Sequence, residues 1–175
     1  MFHKVKIGKN FPKEINSIIE IPKESHNKYE YDEELEVFKL DRVLHSPLHY
    51  PADYGLIPET RAEDGDHLDI MVLGNNPTFP GCVVKSRPIG VMRMIDDGEK
   101  DYKILGVQSD NPRFTSIKDL EDLQKHNPHL LKEIAHFFEA YKHLEDKEVK
   151  TEGWGNREEA IKEIEKTHKA FKQQG

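Results

Sequence analysis

A chain of 175 residues with Lys+Arg 26, Asp+Glu 33 and a net charge of −7 is of one-domain length, and such a domain buries about 70% of its unfolded surface. No apolar run reaches the roughly 18 residues of a spanning helix, mean hydropathy is −0.79, and the opening Met1-Phe2-His3-Lys4 has no secretory character. The lone Cys82 excludes an internal disulfide framework and a CxxC zinc site, and the acidic balance disfavours a polyanion, so a cytoplasmic protein binding neither nucleic acid nor membrane is expected.

In chain order, β-branched residues over 17–21 predict a strand that stops at Pro22. Segments 27–32 and 35–40 predict a hairpin around Asp32-Glu33-Glu34. The continuous apolar run 68–73 is of strand length and closes at Gly74-Asn75-Asn76-Pro77. Strands are also expected over 82–87, 90–95 and 102–107. Near residue 115 the texture changes. Ser116 and Asp119 resemble the start of a short helix reaching about Lys125. Asn127-Pro128 reads as an N-cap with proline at the first helical position. Leu130, Leu131, Ile134, Phe137, Phe138, Tyr141 and Leu144 then form one stripe. Asn156 and Glu159 resemble a capping box before a more polar last helix. The pattern is α+β: a single domain spanning 1–175, with a β core over about 15–110 and helices over about 116–172.

No P-loop, no GxGxxG after a strand, no HExxH and no GxSxG occurs. What stands out is Asp64-Gly65-Asp66-His67-Leu68-Asp69, three carboxylates at the mouth of an apolar strand. An ordinary turn has the same composition. A calcium EF-hand does not: Asp69 stands where its glycine belongs and Asn75 where its glutamate belongs. Asp96 and Asp101 flank a hairpin-like Asp97-Gly98-Glu99-Lys100. Asp101 with Lys103, and Lys28 with Glu30, are two apart and share a strand face. Singly these are surface ion pairs of little worth. Together, carboxylates beside lysines around an acidic turn are what Mg²⁺–phosphate chemistry requires.

The sequence resembles the soluble family I inorganic pyrophosphatases of the short prokaryotic type. The resemblance runs over roughly 15–157 and rests on Ile19-Glu20-Ile21-Pro22, Lys28-Tyr29-Glu30, Asp41-Arg42, Tyr50-Pro51-Ala52-Asp53-Tyr54-Gly55, the DxDxxD run at 64–69, Arg87-Pro88-Ile89-Gly90, 96–103 and 136–142. It implies a small OB-like closed β-barrel flanked by C-terminal helices, and a homohexamer. It also implies hydrolysis of pyrophosphate to two phosphates by a metal-activated water, with Asp66 as general base. Asp64, Asp69, Asp96 and Asp101 would hold metal, with Glu20 and Glu30 acting through metal-bound water. Lys28, Arg42, Tyr54, Lys103, Tyr141 and Lys142 would contact phosphate, and Tyr50 lies in the same motif. Mg²⁺ would be the cofactor, Mn²⁺ a substitute and Ca²⁺ inhibitory. The sequence departs from the family at His67, where proline is usual, and at Ala140, where histidine often stands. A hydrolase for other phosphate compounds, or a non-catalytic OB module, are the rival readings.

Overall fold

In the computed structural model, which describes residues 2–174, strand β1 (Ile15–Ile21) is hydrogen-bonded along both edges. The other strands are β2 (Asn27–Asp32), β3 (Val37–Val43), β4 (Asp53–Leu56), β5 (Asp69–Leu73), β6 (Val83–Asp96), β7 (Glu99–Lys100), β8 (Lys103–Gln108) and β9 (Val149–Gly155). Helices α1 (Leu120–His126), α2 (Leu130–Ala140) and α3 (Arg157–Gln174) all follow β8. The hydrogen-bonded path runs β1-β4-β5-β8-β6, and because β6 also pairs β1 it returns to its start. β5 and β8 are parallel; the other pairs are antiparallel. β2 and β3 form a separate two-stranded sheet.

The apolar run of β5 follows from burial on both faces. Met71 and Leu73 join a core with Phe137 and Phe138 of α2 and Leu120 and Leu123 of α1. Ile70 and Val72 point the other way, into a core with Ala160 and Ile164 of α3. So α1 and α2 cover one side of the strands and α3 the other.

Several expectations shift in register. The predicted strands 82–87 and 90–95 are one strand, β6, with an irregularity between Pro88 and Gly90 in its pairing to β8. Proline cannot donate to the ladder, so it sits where the pairing slips. The hairpin turn extends to Glu36, whose φ is +53°, and β3 starts later than expected. Asp119, not Ser116, caps α1, in a capping box with Asp122. Asn127-Pro128 precedes a turn, and α2 begins only at Leu130, without a side-chain cap. α2 ends at Ala140, so Leu144 leaves the stripe and is 64% exposed. The capping box of α3 is present: the Asn156 N–H donates to Glu159 Oε2 at 2.9 Å and the Glu159 N–H to Asn156 Oδ1 at 3.1 Å. β4 and β9 were not expected. No helix among the described residues is long and apolar enough to cross a membrane.

Candidate active site

Parallel pairing of β5 with β8 sets Asp69 directly beside Lys103. The Lys103 ammonium, 3% exposed, donates to Asp69 Oδ2 and Asp101 Oδ1, both at 2.6 Å. Burial alone would pull this lysine down. The two carboxylates outweigh it and hold the group well above its ordinary value, so Lys103 is a fixed cation. Asp101 is also raised, but here burial wins over Lys103, with Asp69 and Asp96 adding repulsion. Tyr54, from β4, donates its hydroxyl to Asp69 Oδ2 at 2.5 Å.

Around this centre lies a cleft of about 720 Å³. Glu20, Lys28, Glu30, Tyr54, Asp64, Asp66, Asp69, Asp96, Asp101, Lys103, Tyr141 and Lys142 all line it, as does Tyr50. Lys28 and Glu30 project from alternate positions of β2 and meet at 2.5 Å. Opposite them on β1, Glu20 Oε1 accepts the Tyr31 backbone N–H at 3.0 Å. Burial nevertheless pushes Glu20 up to about 7, with Asp69 and Glu30 contributing repulsion. The two-residue turn between β6 and β7, with Asp97 at φ +50° and Gly98 at φ +87°, returns the chain so that Asp96 and Asp101 share the cleft. Lys142, just past α2, donates to Asp96 Oδ2. The other Asp96 oxygen is buried without a hydrogen-bond partner.

The acidic turn is built by its own backbone. The Ala62 N–H donates to the Asp66 carbonyl at 2.8 Å, the Asp66 N–H to Asp64 Oδ1 at 2.9 Å, and Arg61 to the Gly65 carbonyl. Burial, and then the charges of Asp64 and Asp69, raise Asp66 above its ordinary value. The segment leading into this turn is held by α3: the Arg61 N–H donates to the Thr167 carbonyl at 2.9 Å and His168 Nδ1 to the Glu59 carbonyl at 2.6 Å.

Arg42 is the expected residue that the structure does not bring into the lining. Its Nε lies 2.6 Å from Glu145 Oε1, and it also donates to Asp41 at 2.5 Å. Glu145 and Arg61 are contributors that sequence reasoning missed. Nothing in local spacing marks a partner as distant as Glu145, whereas Arg61 lies just before the DxDxxD run. Among the described residues no three carboxylate, imidazole or thiol groups converge as a ready cation cage. The lysines account for that, since each draws one or two of the carboxylates to itself.

Comparison with known proteins agrees with this geometry. A family profile described as inorganic pyrophosphatase matches residues 17–172. The inorganic pyrophosphatase of Geobacillus stearothermophilus is 49% identical over 160 residues, 91% of this chain and 95% of that protein. That of Haloferax volcanii is 45% identical over 166 residues, 94% and 92% of the two chains. The crystal structure of the Thermus thermophilus inorganic pyrophosphatase superposes with a TM-score of 0.93 at 41% identity, covering 98% of each chain. The chain belongs to the family I inorganic pyrophosphatases. Like them it is an enzyme, and its reaction is the hydrolysis of pyrophosphate.

Proposed function

We propose that the reaction depends on divalent cations, Mg²⁺ first among them, and on Asp66 as general base. The observation that carries this reading is the Asp69–Lys103–Asp101 bridge, set in a cleft whose carboxylates outnumber its lysines. Such a cleft repels pyrophosphate unless further positive charge enters. The residues fit that charge. All the donors are hard carboxylate oxygens, Asp96 Oδ1 is buried and unpartnered, and Glu20 is held near 7 by burial. Asp64, Asp69, Asp96 and Asp101 would hold the ions directly, with Glu20 and Glu30 behind them. Bound there, divalent cations supply charge neutralisation for the anion and lower the pKa of water.

The chain's own residues do the rest. Asp66, on a turn fixed by Ala62 and Arg61, accepts the proton of the attacking water. The new P–O bond forms at one phosphorus while the bridging P–O bond breaks, its electron pair leaving with the second phosphate. Lys28, Lys103 and Lys142 neutralise the phosphate oxygens. Tyr54 and Tyr141, both raised by burial, stay protonated and donate hydrogen bonds. Arg42 must leave Glu145 to reach a phosphate.

The closed path of strand pairings supports an OB-like barrel, with parallel β5 and β8 at its centre. Exposed Leu35, Val37, Leu40, Val43, Phe79 and Leu144 support a homohexamer, checked by light scattering against the 20.4 kDa monomer. A cytoplasmic site is proposed with these. The deciding experiment is phosphate release from pyrophosphate. Activity should vanish in EDTA, return with Mg²⁺ or Mn²⁺, and stay low with Ca²⁺. Full activity in EDTA would overturn the mechanism.

A further inference from the structure

The cleft does not end at the carboxylates. Within the same volume it continues into a lobe walled by Phe2, Val5, Tyr31, Pro58, Leu68 and Phe171. The two ends are joined through the chain itself. Tyr31 follows Glu30 and its N–H holds Glu20, while Leu68 lies between Asp66 and Asp69. On one wall the Phe2 ring meets Tyr31 edge-on at 5.0 Å, and both rest on Phe38 at 5.2 and 5.3 Å. Phe171 of α3 lines the cleft too, with the His67 ring at 6.3 Å from it, and His67 is held there because its Nδ1 donates to the Thr60 carbonyl at 2.9 Å. Two of the acids at this end are already answered. Glu59 pairs with Lys6 at 3.1 Å and accepts the Ile7 N–H, and Glu63 pairs with Lys166 at 2.8 Å. Beside the further charged side chains of Glu33, Arg61, Lys100 and Glu163, the lobe offers ring faces and apolar surface.

None of these rings serves the hydrolysis described above. The whole cleft, at about 720 Å³, falls within the range of roughly 300–1,000 Å³ typical of sites that enclose drug-sized organic ligands. An inorganic diphosphate occupies only the carboxylate end. We propose that the aromatic lobe is a second subsite, which binds a planar aromatic group carried on a diphosphate. The inference rests on the reading of the carboxylate end as the pyrophosphate site. A ligand of this kind places its phosphates among Lys28, Lys103 and Lys142 and its ring against Tyr31 and Phe171. It competes with pyrophosphate whether or not it is itself cleaved.

Calorimetry on the full chain with Mg²⁺ tests this, using methylenebisphosphonate and its phenyl-substituted derivative, neither of which can be hydrolysed. The phenyl compound should bind about tenfold tighter, the worth of one ring stacked on an aromatic side chain. Phe171→Ala and, separately, Tyr31→Ala should erase that gain and leave the affinity for the parent compound unchanged. Equal affinity of the two compounds for the wild type, or a gain that survives both substitutions, overturns the subsite while the pyrophosphate reading stands. Failure of the parent compound to bind at all overturns the pyrophosphate reading and the subsite with it. Because the readout is a ratio of two affinities on one protein, partial unfolding of a variant scales both and leaves the ratio intact.

Discussion

Asp69 and Lys103, thirty-four residues apart, are register partners on parallel strands, and the Lys103 ammonium bridges Asp69 to Asp101. Two carboxylates and one buried cation leave a net negative charge when both acids are ionised. Removing the lysine leaves two carboxylates facing each other in low dielectric. Lys103→Met should therefore destabilise the metal-free protein by about 3–5 kcal/mol, the usual cost of breaking a buried pair. Mg²⁺ should restore much of the loss. Thermal melts with EDTA and with Mg²⁺ check this, and a variant as stable as wild type in EDTA would contradict it.

Substitutions at Asp66 and Asp69 test the proposed division between base and ligand. Asp66→Asn keeps the shape but cannot take the proton, so kcat should fall by roughly 10²- to 10⁴-fold with little change in Mg²⁺ dependence. Asp69→Asn should be partly rescued by high Mg²⁺. If excess Mg²⁺ revived Asp66→Asn and left Asp69→Asn dead, the two assignments would be reversed.

Gly55 tests the close approach of β1 and β4. A Cβ built there would stand 1.9 Å from the Ile18 carbonyl oxygen, which is backbone and cannot swing aside. Gly55→Ala should cost about 3 kcal/mol, the upper end of overpacking penalties, or more. A urea titration showing a loss below about 1 kcal/mol would mean that β1 and β4 do not approach as described.

Glu59 gives the pH test. Burial would raise it, but the Ile7 N–H and Lys6 prevail and hold its carboxyl below the ordinary 4.5. Its stabilisation of the N-terminal segment is thus complete above that value and is lost as pH falls through the depressed folded one. The protection factor of the Ile7 amide, corrected for the intrinsic slowing of exchange in acid, should fall on acidification, beginning below 4.5. Glu59→Gln should show fast exchange already at neutral pH. A protection factor that ignored both pH and the substitution would refute the linkage.

Local chemistry was legible where the partners were close in sequence. The pairs Lys28–Glu30 and Asp101–Lys103, the turn at Gly98 and the capping box at Asn156 all follow from short spacings. β4 was missed because Pro51 and Gly55 read as turn residues, although its pairing buries Asp53, Tyr54 and Gly55. β9 was missed because Lys150, Glu152 and Gly153 hide an inward-facing Val149. Asp69–Lys103 and Arg42–Glu145 depend on strand pairing and helix placement, which no local pattern encodes. The resemblance to the family pointed to Asp69, Lys103 and Arg42 as single residues and to neither pairing.

The hold that α3 keeps on the Glu59–Arg61 segment has a consequence for how the enzyme is born. Thr167 and His168 fix the approach to the acidic turn at 64–69, although His168 lies 109 residues after its partner Glu59. A nascent chain can pair β1, β4, β5, β6 and β8 before α3 exists, but its acidic turn is still unanchored. The acidic turn is therefore anchored only once α3 has been made, and a ribosome stalled short of Thr167 carries paired strands with that turn still loose.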